Sequence, residues 1–227
     1  MTSSAILIPA RYNSTRLPGK PLAMLDGVPM IKRVYDACSA SGIPTYVLTD
    51  DVRIASVFQN TSVIIDDTDY ANGTERCAGA INLDYMQKYN KFINVQGDMP
   101  DVTIDMIKQC EWHLQHYQVT TLWTDMPTCM QEDPNTVKLI RAGDRVLWCG
   151  RSMTNYGHWH LGIYGYKREA LEMYTNLIIE KEETIEQLEQ LRWLKNGWQV
   201  GCLSVQYNGV EINSPEDIET WHIKNFQ

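Results

Sequence analysis

The residues most suited to chemistry lie in a loop that follows an apolar run at positions 4–8. The loop, residues 9–21, reads Pro-Ala-Arg-Tyr-Asn-Ser-Thr-Arg-Leu-Pro-Gly-Lys-Pro, with cationic groups at Arg11, Arg16 and Lys20. Guanidinium and ammonium groups neutralise phosphate oxygens, and loop amides donate hydrogen bonds to them. The segment therefore predicts a polyphosphate site that begins where a short buried strand ends.

The loop follows other rules than a Walker A motif. Ser14 stands where that motif needs its first glycine, and Pro21 follows the lysine without an N–H to donate.

The alternative to a phosphate site is a loop whose basic side chains are merely solvated. Residues 1–33 carry five Lys or Arg and one acid, whereas the whole chain has a net charge of −8. A positive loop in an acidic protein favours a small anionic ligand.

Composition narrows the classes of protein that the chain can represent. Its 227 residues, 44% of them hydrophobic, suffice for one sizeable core. The acidic balance disfavours nucleic acid and anionic membranes as partners, and no apolar stretch approaches the length of a membrane span. The first apolar run is too short for a signal peptide. The six cysteines form no Cys-x-x-Cys pair, so we expect reduced thiols and a cytoplasmic location.

Hydrophobic patterning predicts an α/β fold. In the first half, strands alternate with helices, which is typical of β-α-β units and a mainly parallel sheet flanked by helices. The predicted strands are 4–8, 44–48, 62–65 and 91–95, and the predicted helices lie near 28–41, 51–59, 74–89 and 102–116.

The second half is richer in β structure. Runs near 119–124, 136–148 and 159–166 predict a smaller β-rich insertion or subdomain at about 118–168, with a hairpin turn at Ala142-Gly143-Asp144. A helix at about 180–196, a strand at 199–206 and a helix from 215 complete the chain. We predict one domain over residues 1–227.

Polar clusters follow several of these strands. In open parallel sheets, ligands bind beyond the carboxyl ends of the strands. Besides the first loop, the clusters are Thr49-Asp50-Asp51, Asn94-Val95-Gln96-Gly97-Asp98 and, at the start of a helix, Asn72-Gly73-Thr74-Glu75-Arg76. Asp98 is the best candidate ligand for Mg²⁺, with a plain turn residue as its alternative. Asp50 and Asp51 are interpreted as the start of a helix with Asp50 as its N-cap.

These segments resemble the 3-deoxy-manno-octulosonate (Kdo) cytidylyltransferases. The loop is similar to that family's signature, the 72–76 segment is similar to its Ser-Gly-Thr-Asp/Glu-Arg with Asn72 in place of the serine, and the 94–98 segment matches its Asn-Val-Gln-Gly-Asp. Further similarities, in chain order, are 133–138, Arg151-Ser152, His160-Leu161-Gly162-Ile163-Tyr164, Leu188-Glu189-Gln190-Leu191-Arg192 and Pro215-Glu216-Asp217. The resemblance implies a Rossmann-like nucleotidyltransferase sheet and a homodimer.

The resemblance also implies a reaction and a set of site residues. CTP and Kdo, or a related ulosonic acid, would give the CMP-sugar and pyrophosphate with Mg²⁺, in the synthesis of lipopolysaccharide-type precursors. The implied catalytic residues are Arg11, Lys20 and Asp98. Those implied to bind the nucleotide are Pro9, Ala10, Arg11, Ser14, Arg16, Lys20, Gly73, Thr74, Arg76 and Gln96. Those implied to bind the sugar are Gln96, His160, Tyr164, Glu189 and Gln190, and the implied metal ligands are Asp98 and Asn213.

Simpler interpretations exist for some of these residues. His158 and His160 share a strand face and could suggest zinc, but a third ligand at typical spacing is missing from the sequence. His160 is otherwise a packed strand histidine, and Glu189 with Arg192 a surface pair on a helix.

The chain departs from the family pattern in two places. Asn213 stands where the family has the aspartate that is its second metal ligand, and an amide brings no negative charge. Glu211 shares its strand face and is a possible substitute. Ser214, Pro215 and Asp217 fit the start of the last helix instead. The stretch 151–160 is shorter than in the family, which leaves the sugar open. A CTP-binding homologue with impaired catalysis, or a transferase for another acid sugar, is the alternative function.

Overall fold

The computed structural model describes residues 3–14, 16–58 and 62–225. The strands are β1 Ser4–Ala10, β2 Met24–Leu25, β3 Val28–Pro29, β4 Thr45–Thr49, β5 Val63–Ile65, β6 Lys91–Val95, β7 Val119–Thr124, β8 Lys138–Ala142, β9 Arg145–Gly150, β10 His158–Lys167 and β11 Val200–Ser204. The helices are α1 Met30–Ser39, α2 Val52–Ala55, α3 Gly73–Ala80, α4 Ile104–His113, α5 Arg168–Tyr174, α6 Lys181–Glu186, α7 Leu191–Lys195 and α8 Pro215–Asn225. No helix within these ranges is both long enough and apolar enough to cross a bilayer.

Nine of the described strands form one mixed sheet in the order β5-β4-β1-β6-β10-β7-β11-β9-β8. The β5-β4-β1-β6 half is parallel, as the alternation of strands and helices predicts. In the other half only β7 and β11 are parallel, whereas β10 runs antiparallel to β6, β7 and β8. The prediction of a mainly parallel sheet is therefore wrong for the second half.

A short connection accounts for the antiparallel pairing of β8 and β9. The predicted turn between β8 and β9 is confirmed, since Ala142 pairs with Arg145 and Gly143 has a φ of 61°. A two-residue loop can join antiparallel strands only, because a parallel pair needs a crossover. The segment at about 118–168 is β-rich as expected, but its strands extend the main sheet and do not form a smaller sheet of their own.

Alternating side chains of the strands build a core on each face of the sheet. On β1, Ala5 and Leu7 join the cluster beneath α3, α5 and α7, whereas Ile6 and Ile8 join the cluster beneath α1 and α4. Successive strand side chains point to opposite faces, so a strand that is apolar throughout needs cover on both. This burial fixes the carboxyl ends of β1, β4 and β6 at one edge of the sheet.

The predicted helices differ most from the structure between 168 and 196. The prediction of a single helix over 180–196 is wrong: α6 ends at Glu186, the next residue Gln187 has a left-handed φ of 53°, and α7 starts only at Leu191. Helix α5 was not predicted. The helix expected at 74–89 ends at Ala80, and that at 51–59 is the short α2, with the predicted end at 59 outside the described residues.

A third apolar cluster attaches the end of the chain to the main body. Leu25 and Met30 pack with Ile212 and with Trp221 of α8. The predicted start of α8 is confirmed: Asp217 Oδ2 accepts from the amides of Ser214 and Asn213, and Asp217 N donates to Ser214 Oγ at 3.4 Å. These contacts hold residues 211–213 beside the edge of the sheet.

Gly165 on β10 allows α4 to approach the sheet, so replacing it with alanine tests this packing. A Cβ there would lie 2.8 Å from Thr120 Cγ2 and 3.1 Å from both Cys110 Sγ and Leu114 Cγ. We expect Gly165→Ala to lower the free energy of unfolding by about 1–3 kcal/mol, measured by chemical denaturation. Adding Thr120→Ser removes the nearest methyl group and should recover part of the loss. An unchanged stability of Gly165→Ala would contradict this account.

Candidate active site

A cavity of about 780 Å³ opens at the carboxyl ends of β1 and β6. Every sequence-predicted site residue except Thr74 lines it. These lining residues are Pro9, Ala10, Arg11, Ser14, Arg16, Lys20, Gly73, Arg76, Gln96, Asp98, His160, Tyr164, Glu189, Gln190 and Asn213. Residues far apart in the sequence thus meet in one cleft, and their individual roles stay predictions.

The cationic loop and Asp98 face each other across this cleft. Lys20 Nζ lies 2.6 Å from Asp98 Oδ2. The loop turns back at Gly19, whose φ is 68° and whose amide donates to Tyr12 O at 3.2 Å. This left-handed turn directs the chain into a short 3₁₀ turn that begins at Lys20. The ammonium group and the carboxylate therefore neutralise each other beside the other cations of the loop.

Asn213 belongs to the same polar cluster. Its Oδ1 accepts from Lys20 Nζ at 3.3 Å and from Arg16 Nη2 at 3.2 Å, and Arg16 Nη1 also donates to Asn135 Oδ1 at 3.0 Å. The amide of Ile212 donates to Asp98 O at 3.0 Å, which holds this segment against the end of β6. The Asn213 side chain is thus oriented by two cations.

Glu211 also lines the cavity, although residues 209–213 form no strand. Burial, and then the nearby charge of Asp98, raise the pKa of its carboxyl to about 8, against the opposing effect of Lys20 and Arg151. Arg151 itself is a lining residue to which the sequence analysis gave no role. It donates to Asn135 O at 2.6 Å and to Glu186 O at 3.1 Å. Its place in a matching motif was the signal that could have found it.

The start of α3 forms another wall. Gly73 is close to Pro9 and Gln96, since a Cβ there would lie 3.2 Å from Pro9 Cγ and 3.7 Å from Gln96 Nε2. Thr74 is fully buried behind this surface. Its amide donates to Glu189 Oε2 at 2.9 Å, and its hydroxyl lies 3.0 Å from the Tyr166 hydroxyl. The structure therefore shows Thr74 supporting Glu189 and not at the cavity surface.

The break between α6 and α7 turns two further side chains toward the cavity. Burial raises the pKa of the Glu189 carboxyl, with the amide and hydroxyl of Thr74 opposing the shift. Gln190 Oε1 accepts from the Tyr164 hydroxyl at 2.9 Å. The alternative interpretation of Glu189 and Arg192 as a surface pair is wrong. Arg192 is 2% exposed and pairs with Glu183 at 2.6 Å and with Glu75 at 2.8 Å.

His160 is a neutral imidazole held in one tautomer. The Thr121 hydroxyl has one proton and lies 2.8 Å from Ile163 O, so it accepts from His160 Nε2 at 2.9 Å. Burial, and then the charge of Arg151, lower the pKa of His160 to about 3. His158 is separate: its ring packs on Trp123, and its Nδ1 lies 4.0 Å from Asp125 Oδ1. In the described ranges, no three His, Cys, Asp or Glu side chains are grouped to hold a metal ion.

The low pKa of His160 predicts an acid-sensitive fold. The unfolded chain binds a proton near pH 6.5 and the folded chain only near pH 3, so this residue's contribution to stability falls as the pH drops through that interval. At pH 5 this contribution to the free energy of unfolding is lower by about 2 kcal/mol than at pH values well above 6.5. We expect His160→Gln, which does not titrate, to lose less stability than the native chain between pH 7 and pH 5. The measurement is the free energy of unfolding at both values, and parallel losses would contradict it.

Comparisons with known proteins agree with this geometry. The chain is 35% identical to the 8-amino-3,8-dideoxy-manno-octulosonate cytidylyltransferase of Shewanella pealeana over 231 residues, 94% of each protein. The enzyme of that name from Shewanella halifaxensis is 36% identical over the same shares.

Solved structures share the fold. One of CMP:2-keto-3-deoxy-manno-octonic acid synthetase complexed with CTP has a TM-score of 0.89 and 29% identity, and the match covers 99% of this chain and 98% of that one. The inositol-1-phosphate CTP transferase of T. maritima, at 13% identity with a TM-score of 0.69 over 99% and 97% of the chains, shares the fold alone. The profile of the family described as Cytidylyltransferase matches residues 5–206. This chain therefore has the mixed α/β nucleotidyltransferase fold and belongs to the cytidylyltransferase family.

Proposed function

We propose that this protein transfers CMP from CTP to the anomeric hydroxyl of Kdo or a closely related ulosonic acid and releases pyrophosphate. The observation that carries the proposal is the cavity that brings the cationic loop and Asp98 together with Gln96, His160 and Tyr164. The names of the relatives support the same substrate class.

The loop would hold the triphosphate. Arg11, Arg16 and Lys20 offer charge-assisted donors to phosphate oxygens. The anomeric oxygen of the sugar attacks the α-phosphorus and passes its proton to solvent water, while the bond from that phosphorus to the bridging oxygen breaks and pyrophosphate leaves with the electron pair. Positioning and charge neutralisation supply this catalysis, so a covalent nucleophile is not needed.

The donor atoms of the cavity fit Mg²⁺. This ion prefers oxygen ligands and is usually bound by one or two carboxylates together with substrate phosphates. Asp98 would hold it with Asn213, and Glu211 supplies a second carboxyl group in the same cavity. When bound, the ion would neutralise phosphate charge. Lys20, paired with Asp98 in the free protein, would then be released to contact the triphosphate.

The names of the relatives point to two sugars that differ at one carbon atom. The Shewanella relatives are named for an 8-amino sugar, whereas the CTP-bound structure is named for the 2-keto-3-deoxy acid. The two substrates differ in one polar group, so we propose to compare them directly. The cytoplasmic location and the homodimer stay predictions.

We expect the purified protein to release pyrophosphate from CTP in the presence of Kdo or its 8-amino analogue and Mg²⁺, measured by a coupled assay. Lys20→Ala should abolish release because the cation beside the triphosphate is lost. Lys32→Ala is the matched control, since Lys32 pairs with Asp36 on the surface of α1 and is not a lining residue.

Two results would count against the proposal. One is absence of pyrophosphate with every ulosonic acid tested. The other is a Lys20→Ala variant as active as Lys32→Ala. Binding of CTP without turnover, restored by Asn213→Asp, would instead favour the alternative of a homologue with impaired catalysis.

Asn213→Asp should lower the Mg²⁺ concentration needed for half-maximal activity by on the order of 10-fold, because it adds a negative charge at a predicted ligand position. Asn213→Ala, which removes the oxygen, should raise it. A metal titration of the three proteins at saturating CTP measures the effect, and equal midpoints for all three would show that position 213 does not meet the metal.

A further inference from the structure

Asp50 lies where the cationic loop and β4 meet. Ala10 and Thr49 are parallel neighbours at the ends of β1 and β4, so the next residues, Arg11 and Asp50, leave the sheet side by side. Asp50 Oδ1 accepts from the amide of Tyr12 at 3.2 Å. The acid thus contacts the backbone of the loop one residue after Arg11, which lines the cavity.

The same carboxylate reaches the other wall of the cavity. Asp50 Oδ2 lies 3.6 Å from Arg76 Nη2, and the Arg76 side chain is 8% exposed. Arg76 Nη1 donates to Asp66 O at 2.9 Å, so this guanidinium is held on two sides. A buried cation without a counter-charge is costly. Asp50 therefore connects two cavity-lining segments that lie about 65 residues apart in the sequence.

Asp50 is not needed to begin the next helix. The N-cap of α2 is Asp51, whose side chain accepts from Arg53 N at 2.8 Å, and the prediction of Asp50 as N-cap is wrong. Asp51 also pairs with the Arg53 side chain at 2.6 Å. Local secondary structure therefore does not account for the carboxylate at position 50, whereas its contacts with Tyr12 and Arg76 do.

We infer that Asp50 is a positioning residue for the nucleotide: it holds the loop backbone at Tyr12 and the Arg76 guanidinium in one fixed arrangement without lining the cavity itself. The inference rests on the proposed function. Groups held in place before binding lose less entropy when the ligand arrives, so the effect belongs to affinity for CTP more than to the chemical step.

The test compares Asp50→Ala, Asp50→Asn and Asp51→Asn with the native protein. Each variant is measured below its own unfolding temperature, by calorimetric titration with CTP and Mg²⁺ and by steady-state kinetics. We expect Asp50→Ala to raise the Kd and KM for CTP about 10-fold, with kcat changed less than about threefold. Asp50→Asn keeps an oxygen for the Tyr12 amide but loses the charge beside Arg76. Its Kd and KM for CTP should therefore lie between those of the native protein and those of Asp50→Ala.

Asp51→Asn removes the same charge from the neighbouring residue, and asparagine caps a helix as well as aspartate. Its CTP affinity should therefore stay within about twofold of the native value. An Asp50→Ala variant with native CTP affinity, a loss confined to kcat, or an equal loss in Asp51→Asn would each overturn the inference alone. A native protein that neither binds CTP nor releases pyrophosphate would overturn the proposed function and this inference together.

Discussion

The ion pair between Lys20 and Asp98 joins the two segments on which the cleft depends. One segment leaves β1 and the other leaves β6, and these strands are parallel neighbours in the sheet. Because both strands are buried on both faces, their ends cannot shift relative to each other without disturbing two core layers. The sheet therefore fixes the ends of β1 and β6, from which the cationic loop and Asp98 extend into the cavity.

The parts of the site that the sequence could predict are those that follow strands directly. Residues 9–21 and 94–98 each continue a short apolar run, so the rule that ligands bind at the carboxyl ends of parallel strands was enough to bring them together. The second half of the sheet was harder to predict. The strand β10 lies between β6 and β7, and nothing in local hydrophobic patterning specifies the neighbours of a strand.

The segment around Glu189 shows that a helical pattern of hydrophobic residues does not suffice to predict where a helix ends. Residues 180–196 have a helical pattern, yet the helix is interrupted at Gln187. Arg192 is buried between Glu183 and Glu75. Glu75 is on α3, so the contact that decides the local structure comes from more than 100 residues away. Two carboxylates around one buried guanidinium compensate its desolvation, and this tertiary contact outweighs the helical preference of the segment. The same reasoning applies to Asp50, whose partners could not be read from its position before a helix.

The charge of the cavity is opposite to that of the protein. Of the described cationic lining residues, Lys20 is paired with Asp98, Arg76 with Asp50 and Arg192 with Glu183, which leaves Arg11, Arg16 and Arg151 facing the cleft. Burial raises the pKa of Glu189 and raises that of Glu211 to about 8, so at neutral pH Glu211 carries less than a full negative charge. A cationic cleft inside a chain of net charge −8 attracts a small anion that can enter it, while the surrounding surface repels extended polyanions. An amide at position 213 adds no negative charge to this cleft, so Asn213 leaves its attraction for phosphate undiminished.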